Sequence, residues 1–163
     1  MGQPVALESM LAARTLWHAG RSAAIAADGE PTGHAALDAL LPQGGWPRRA
    51  LTELLLPADG VGELSLLLPT LARMTRAGGI VALVAPPYIP YAPAWPFERC
   101  LRSGGCAAVL GGPQQADAAA LRRLQVAADS GACLGFALRD RRHAVNASPA
   151  ALRLERTRDA QGA

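Results

Sequence analysis

Apolar positions along this chain form two kinds of run, and the two kinds alternate. Short compact runs occupy residues 50–56 (with polar Thr52 and Glu53 inside), 80–85, 107–110 and 133–138, each bounded by Gly, Pro or charge. Runs of that length with such borders predict strands. Between them the spacing turns helical. Leu64, Leu67, Leu68 and Leu71 recur along one predicted helix, which Gly78-Gly79 ends. Pro69 within it removes one backbone hydrogen bond and is expected to bend it. Leu121, Leu124 and Ala128 mark a helix over 116–130, with Arg122 and Arg123 on its solvated side. Residues 97–103 support a short helix at most. The run 80–85 (IVALVA) has no polar position, so it is expected to be buried on both faces, as parallel strands are.

The flanks are less regular. Val5, Leu7, Met10, Leu11, Leu16 and Trp17 fit a short amphipathic helix over 5–19, followed by a linker to Pro31. Thr32 is placed to cap a helix running to Leu41, with Leu37, Leu40 and Leu41 on one face, and Pro42 and Gly44-Gly45 stop it. Trp46-Pro47-Arg48-Arg49 reads as a turn, and Trp46 as core. Residues 86–96 carry five of the 13 prolines, a density no regular element survives. Leu152 and Leu154 alternate with charge, as an exposed edge strand does. Strand–helix alternation predicts an α/β fold with a mostly parallel sheet. The chain divides into an N-terminal helix and linker (1–31), a core (32–140) and a basic C-terminal tail (141–163).

Composition narrows the chemistry. The 163 residues suit one domain, and half are hydrophobic, enough for a substantial core. No apolar run approaches the roughly 18 residues that span a bilayer, and no secretory pattern opens the chain, so a cytoplasmic protein is expected. Cys100, Cys106 and Cys133 form no C-x-x-C pair, and His18, His34 and His143 are scattered. That pattern favours reduced, mostly buried thiols over a zinc site. No cofactor is expected.

One absence is more telling. The chain has no lysine; all 16 basic residues are arginine. The loop at 57–62 joins a predicted strand to a predicted helix, where a phosphate-binding G-x-x-x-x-G-K-[ST] loop would sit. Its glycines wrap phosphates in backbone N–H groups, its lysine neutralises the β- and γ-phosphates, and its hydroxyl holds Mg²⁺. Here the register supplies Pro57, Gly62, Glu63 and Leu64. Glu63 places negative charge where phosphate charge belongs, and Leu64 offers the metal no oxygen. Without any lysine, no shift of register repairs the loop. The strand 80–85 leads into Pro86-Pro87-Tyr88, and the strand 107–110 into Gly111-Gly112-Pro113, so neither delivers a catalytic acid. The expected protein is not an enzyme.

Three segments carry a resemblance. Residues 32–38 (TGHAALD), 44–49 (GGWPRR) and 52–54 (TEL) resemble the opening of the RecA ATPase core. The longer stretches 32–48, 51–74 and 80–95, with 100–110 and 121–132, look more closely like ImuA, the RecA- and SulA-related family of bacterial translesion-synthesis operons. The resemblance covers roughly residues 30–138. It implies a RecA-like three-layer fold and an accessory role in SOS-induced mutagenesis. The implied partners are an ImuB-like inactive Y-family polymerase relative and RecA or an error-prone polymerase. One departure stands out: between Trp95 and Phe97 about 30 residues of the family pattern are absent, comparable to one strand–helix unit.

Surface candidates follow. Tyr88, Ile89, Tyr91 and Trp95 in the proline-rich stretch are either partner anchors or residues packed on the sheet edge. Glu53, in the middle of a strand, reads as a satisfied structural carboxylate. Residues 1–138 hold 10 Arg and 10 acids, whereas 139–163 hold 6 Arg and 3 acids, so the excess charge sits at the C-terminal end. Arg139, Arg141, Arg142, Arg153, Arg156 and Arg158 are therefore candidates to meet DNA or an acidic partner, or else they are simply solvated. Two alternatives to the mutagenesis reading remain: a SulA-like inhibitor of division that binds FtsZ, and a DNA-binding module.

Overall fold

The computed structural model describes residues 28–58, 60, 62–84 and 94–156. In chain order the elements are α1 (Ala35–Leu40), β1 (Leu51–Leu56), α2 (Glu63–Arg76), β2 (Val81–Val84), α3 (Trp95–Arg102), β3 (Ala108–Gly111), α4 (Ala118–Ser130), β4 (Leu134–Asp140), a 3-10 turn (Arg141–Val145) and β5 (Leu152–Glu155). The strands form one sheet in the order β2-β3-β4-β1-β5, and every pairing is parallel. The fold is α/β and three-layered, consistent with a RecA-like domain. The expected N-terminal helix over 5–19 lies outside the described residues.

Strand alternation sorts the core into two layers. On one face Leu54, Leu56, Leu110, Phe136 and Leu138 meet Leu67 and Leu71 of α2. On the other, Leu51, Val109 and Ala137 meet Phe97 and Leu101 of α3 and Leu121 and Leu124 of α4. Trp46 is fully buried, stands edge-on to Phe136 with ring centroids 5.3 Å apart, and donates its indole N–H to Thr70 Oγ1 at 3.0 Å. Thr70 in turn lies 2.9 Å from Pro31 O and 3.0 Å from Thr32 O, so one buried hydroxyl ties the segment before α1 to α2. Gly131 ends α4 against the Leu101 carbonyl, where a Cβ would have no room.

Four sequence expectations change. The fully buried strands are β1 and β3, with β4 buried up to its last residue, whereas β2 is an edge strand with Leu83 65% exposed. An apolar run signals burial without saying which strand takes the outside place. Thr32 is not the helix cap: α1 starts two residues later behind His34, which makes no side-chain cap bond. Thr32 Oγ1 instead accepts from His34 N at 3.0 Å, and its N–H donates to Asp38 at 2.9 Å, which holds that carboxyl below its ordinary value. Leu40 is exposed, although Leu37 and Leu41 pack inward. Along α2 the buried stripe is Glu63, Leu67, Thr70 and Leu71, with Leu64 and Leu68 on an exposed flank. Helix α2 continues through Pro69 to Arg76.

Candidate functional site

The loop after β1 enters α2 at the carboxyl end of the sheet, where open parallel sheets bind ligands. Gly62 caps α2 with φ of 92°, a left-handed conformation that glycine adopts without strain. Glu63 is the first residue of the helix and is only 7% exposed. Its Oε1 accepts from Gly60 N at 3.1 Å, closing the loop on itself. A carboxylate at this position carries its negative charge next to the positive end of the helix dipole. The anion that a helix N-terminus attracts is thus supplied by the chain itself. Leu64 points outward on the exposed flank of α2, and Pro57 follows β1 half-buried.

A cavity of about 500 Å³ opens beside this loop. Six leucines line it: Leu37, Leu54, Leu55, Leu56, Leu66 and Leu154. Its polar lining comes from His34, Glu63, Ser65, Glu155 and Arg156. His34 Nε2 lies 3.2 Å from Leu66 O and fixes α1 against α2 along one wall. Arg156 leaves β5 with its N–H on Leu55 O at 2.9 Å, and its guanidinium lies against Gly62, where a Cβ would come within 2.9 Å of it. Glu63 Oε2 is buried and has no hydrogen-bond partner among the described residues.

A second charged cluster occupies the opposite face of β1. Glu53 is fully buried and pairs with two arginines. Arg139 donates to Oε1 at 2.7 Å, and Arg153 Nε lies 2.9 Å from Oε2 as an ion pair off the hydrogen-bond axis. Register explains the meeting: Arg153 is the β5 partner of Glu53, and Arg139 lies two residues beyond its β4 partner Ala137. Arg139 also donates to Ala116 O at 2.7 Å, and Arg153 to Ala144 O at 3.1 Å and Asn146 O at 2.7 Å. His143 Nδ1 stands 3.2 Å from Arg139. Burial, and then the charges of Arg139 and Arg142, hold the His143 imidazole below its ordinary value.

No family model matches this chain, and no curated protein matches it.

The predicted site residues therefore scatter. Pro57, Gly62, Glu63 and Leu64 sit together in the loop. Trp95 opens α3 and is 61% exposed, whereas Tyr88, Ile89 and Tyr91 lie outside the described residues. Of the six arginines, Arg139 and Arg153 are corrections: both are spent on Glu53 and backbone carbonyls, because a buried carboxylate needs its counter-charge inside the fold. Arg141 pairs with Glu155 at 2.6 Å, Arg142 Nε is 4.0 Å from Asp140, Arg156 is exposed, and Arg158 lies outside the described residues. The cavity was missed in the sequence. Its walls come from four separate elements, and only the orphaned Glu63 gave any local signal. Among the described residues no group of three His, Cys, Asp or Glu is arranged to hold a metal ion, and no helix is long and apolar enough to cross a membrane.

Proposed function

We propose that this chain is a non-catalytic interaction protein of the SOS-induced translesion-synthesis machinery, working beside an ImuB-like inactive polymerase relative and an error-prone polymerase. The observation that carries the non-catalytic half is Glu63. It puts a carboxylate at the first position of the helix whose N-terminus would receive a triphosphate, and like charges about 4 Å apart cost several kcal/mol in a partly buried site. The mutagenesis half rests on the resemblance of residues 30–138 to ImuA. The three-layer parallel fold agrees with that resemblance. The DNA-binding alternative is weakened, because two of its six arginines are internal counter-ions.

The test has two parts. Calorimetric titration with ATP and Mg²⁺ should give no binding at millimolar nucleotide; tight, magnesium-dependent capture would overturn the non-catalytic reading. Co-expression with an ImuB-like protein should yield a complex that survives size exclusion at micromolar concentration. Separate elution would overturn the accessory role.

A further inference from the structure

His143 sits half-buried in the 3-10 turn that follows β4, beside the Glu53 cluster. Its Nδ1 lies 3.2 Å from Arg139 Nη2 and 3.4 Å from Asn146 Nδ2. A guanidinium can only donate, so Nδ1 is the acceptor and the neutral ring carries its proton on Nε2. A second proton has to go on Nδ1. There it would point donor at donor and cation at cation across the Arg139 contact.

We propose that His143 is the trigger of a pH-operated latch: a proton taken up at Nδ1 drives the imidazole off Arg139, and the 3-10 turn and β5 then come away from β1 together. The latch does not depend on the accessory role proposed above. Arg139 does not yield instead, because Glu53 Oε1 and Ala116 O, each at 2.7 Å, hold its guanidinium in place. The turn is tied to β5 through one side chain. Arg153 donates to His143 O, to Ala144 O at 3.1 Å and to Asn146 O at 2.7 Å. Displacing the turn therefore displaces Arg153, and with it a four-residue strand that pairs with β1 at the edge of the sheet.

The groups around the ring leave an added proton unanswered. Arg139 of β4, Arg142 of the turn and Arg153 of β5 are positive; Glu53 of β1 and Asp140 at the end of β4 are negative. Glu53 already answers Arg139 and Arg153, and Asp140 is exposed, 4.0 Å from Arg142. Arg141 of the turn and Glu155 of β5 are paired with each other at 2.6 Å. Burial first, and then the charges of Arg139 and Arg142, keep the ring neutral to below its ordinary value of 6.5. The latch is therefore closed at neutral pH and opens in mild acid. Through Leu154, Glu155 and Arg156 the β5 segment is also one wall of the cavity beside α2, so its release uncovers both the outer edge of β1 and that leucine-lined space.

Amide protection factors of the full-length protein from pH 7.5 to 5, each corrected for the intrinsic exchange rate, test the latch. Ala151 N donates to Leu51 O at 3.0 Å and Arg156 N to Leu55 O at 2.9 Å, and both report on β5. Gly135 N, which donates to Ala50 O at 2.9 Å, reports on β4. Each pH unit below the ordinary 6.5 favours the open, protonated state by up to about tenfold. The expected result is a fall of about tenfold at Ala151 and Arg156 by pH 5, with Gly135 still protected. His143→Gln keeps an oxygen that can accept from Arg139 and does not titrate, so its β5 protection should stay level across the range. Nitrogen-15 spectra of the wild-type imidazole at pH 7.5 should place the proton on Nε2. Level β5 protection in wild type, an equal loss at Gly135, a fall in His143→Gln that matches wild type, or a neutral ring protonated at Nδ1 would each overturn the latch.

Discussion

Glu53 and Glu63 lie ten positions apart, one inside β1 and the other at the start of α2, and both are withdrawn from solvent. Around Glu53 both carboxylate oxygens face arginine, and the arginines have further acceptors in Ala116, Ala144 and Asn146. Around Glu63 one oxygen closes a loop and the other is buried without a hydrogen-bond partner among the described residues. Burying a charge is tolerable only when its partners come with it. The matched cluster is therefore architecture, joining β1, β4, β5 and the 3-10 turn. The half-matched one keeps a carboxylate oxygen inside the fold with no ion pair to answer it among the described residues.

The largest effect should come from breaking the matched cluster. Glu53→Ala leaves Arg139 buried without its counter-charge and should cost about 3–5 kcal/mol in urea unfolding. Replacing all three charges together, as Glu53→Leu with Arg139→Met and Arg153→Leu, should recover most of that loss. If the triple variant is as unstable as Glu53→Ala, the cluster is more than a set of matched charges.

A smaller effect should appear with pH. The imidazole of His143 titrates lower in the folded chain than in the unfolded one, so the unfolded chain takes up the proton first as pH falls. The contribution of His143 is therefore present above the ordinary value of 6.5 and declines as pH drops below it. Denaturation midpoints from pH 7.5 to 5 should fall more steeply for wild type than for His143→Gln. Parallel slopes would detach His143 from the cluster.

The smallest effect belongs to the half-matched site. Glu63→Gln removes an unmet charge but keeps a group that can accept from Gly60, so unfolding free energy should move by less than about 1 kcal/mol. A loss as large as that of Glu53→Ala would erase the contrast between the two carboxylates.

The same contrast separates what the sequence makes legible from what it does not. Strand positions at 50–56, 107–110 and 133–138, the helix at 116–130 and the burial of Trp46 are local consequences of period and composition. The structure bears all of them out. The partners of Glu53 are not local. Arg139 looks like a surface charge until the β1–β4 register brings it two residues past Ala137. The exposure of Leu83 and Leu40 fails for the same reason, because an apolar side chain does not encode whether its element lies at an edge. The loop at Glu63 is legible as chemistry, since a missing lysine can be read directly. Its cavity is not, because Leu37, Leu66 and Leu154 meet only in three dimensions.

The strand order has a consequence for how the chain is made. Among the described strands β1 comes first in the sequence, yet both of its neighbours, β4 and β5, follow β2 and β3. Until β4 has been made its backbone donors and acceptors have no native strand partner, and pairings this distant in sequence form slowly. The nascent chain thus carries an open, leucine-rich ribbon that other chains can join, and its yield in the cell should depend on chaperones that shield that ribbon until the C-terminal strands arrive.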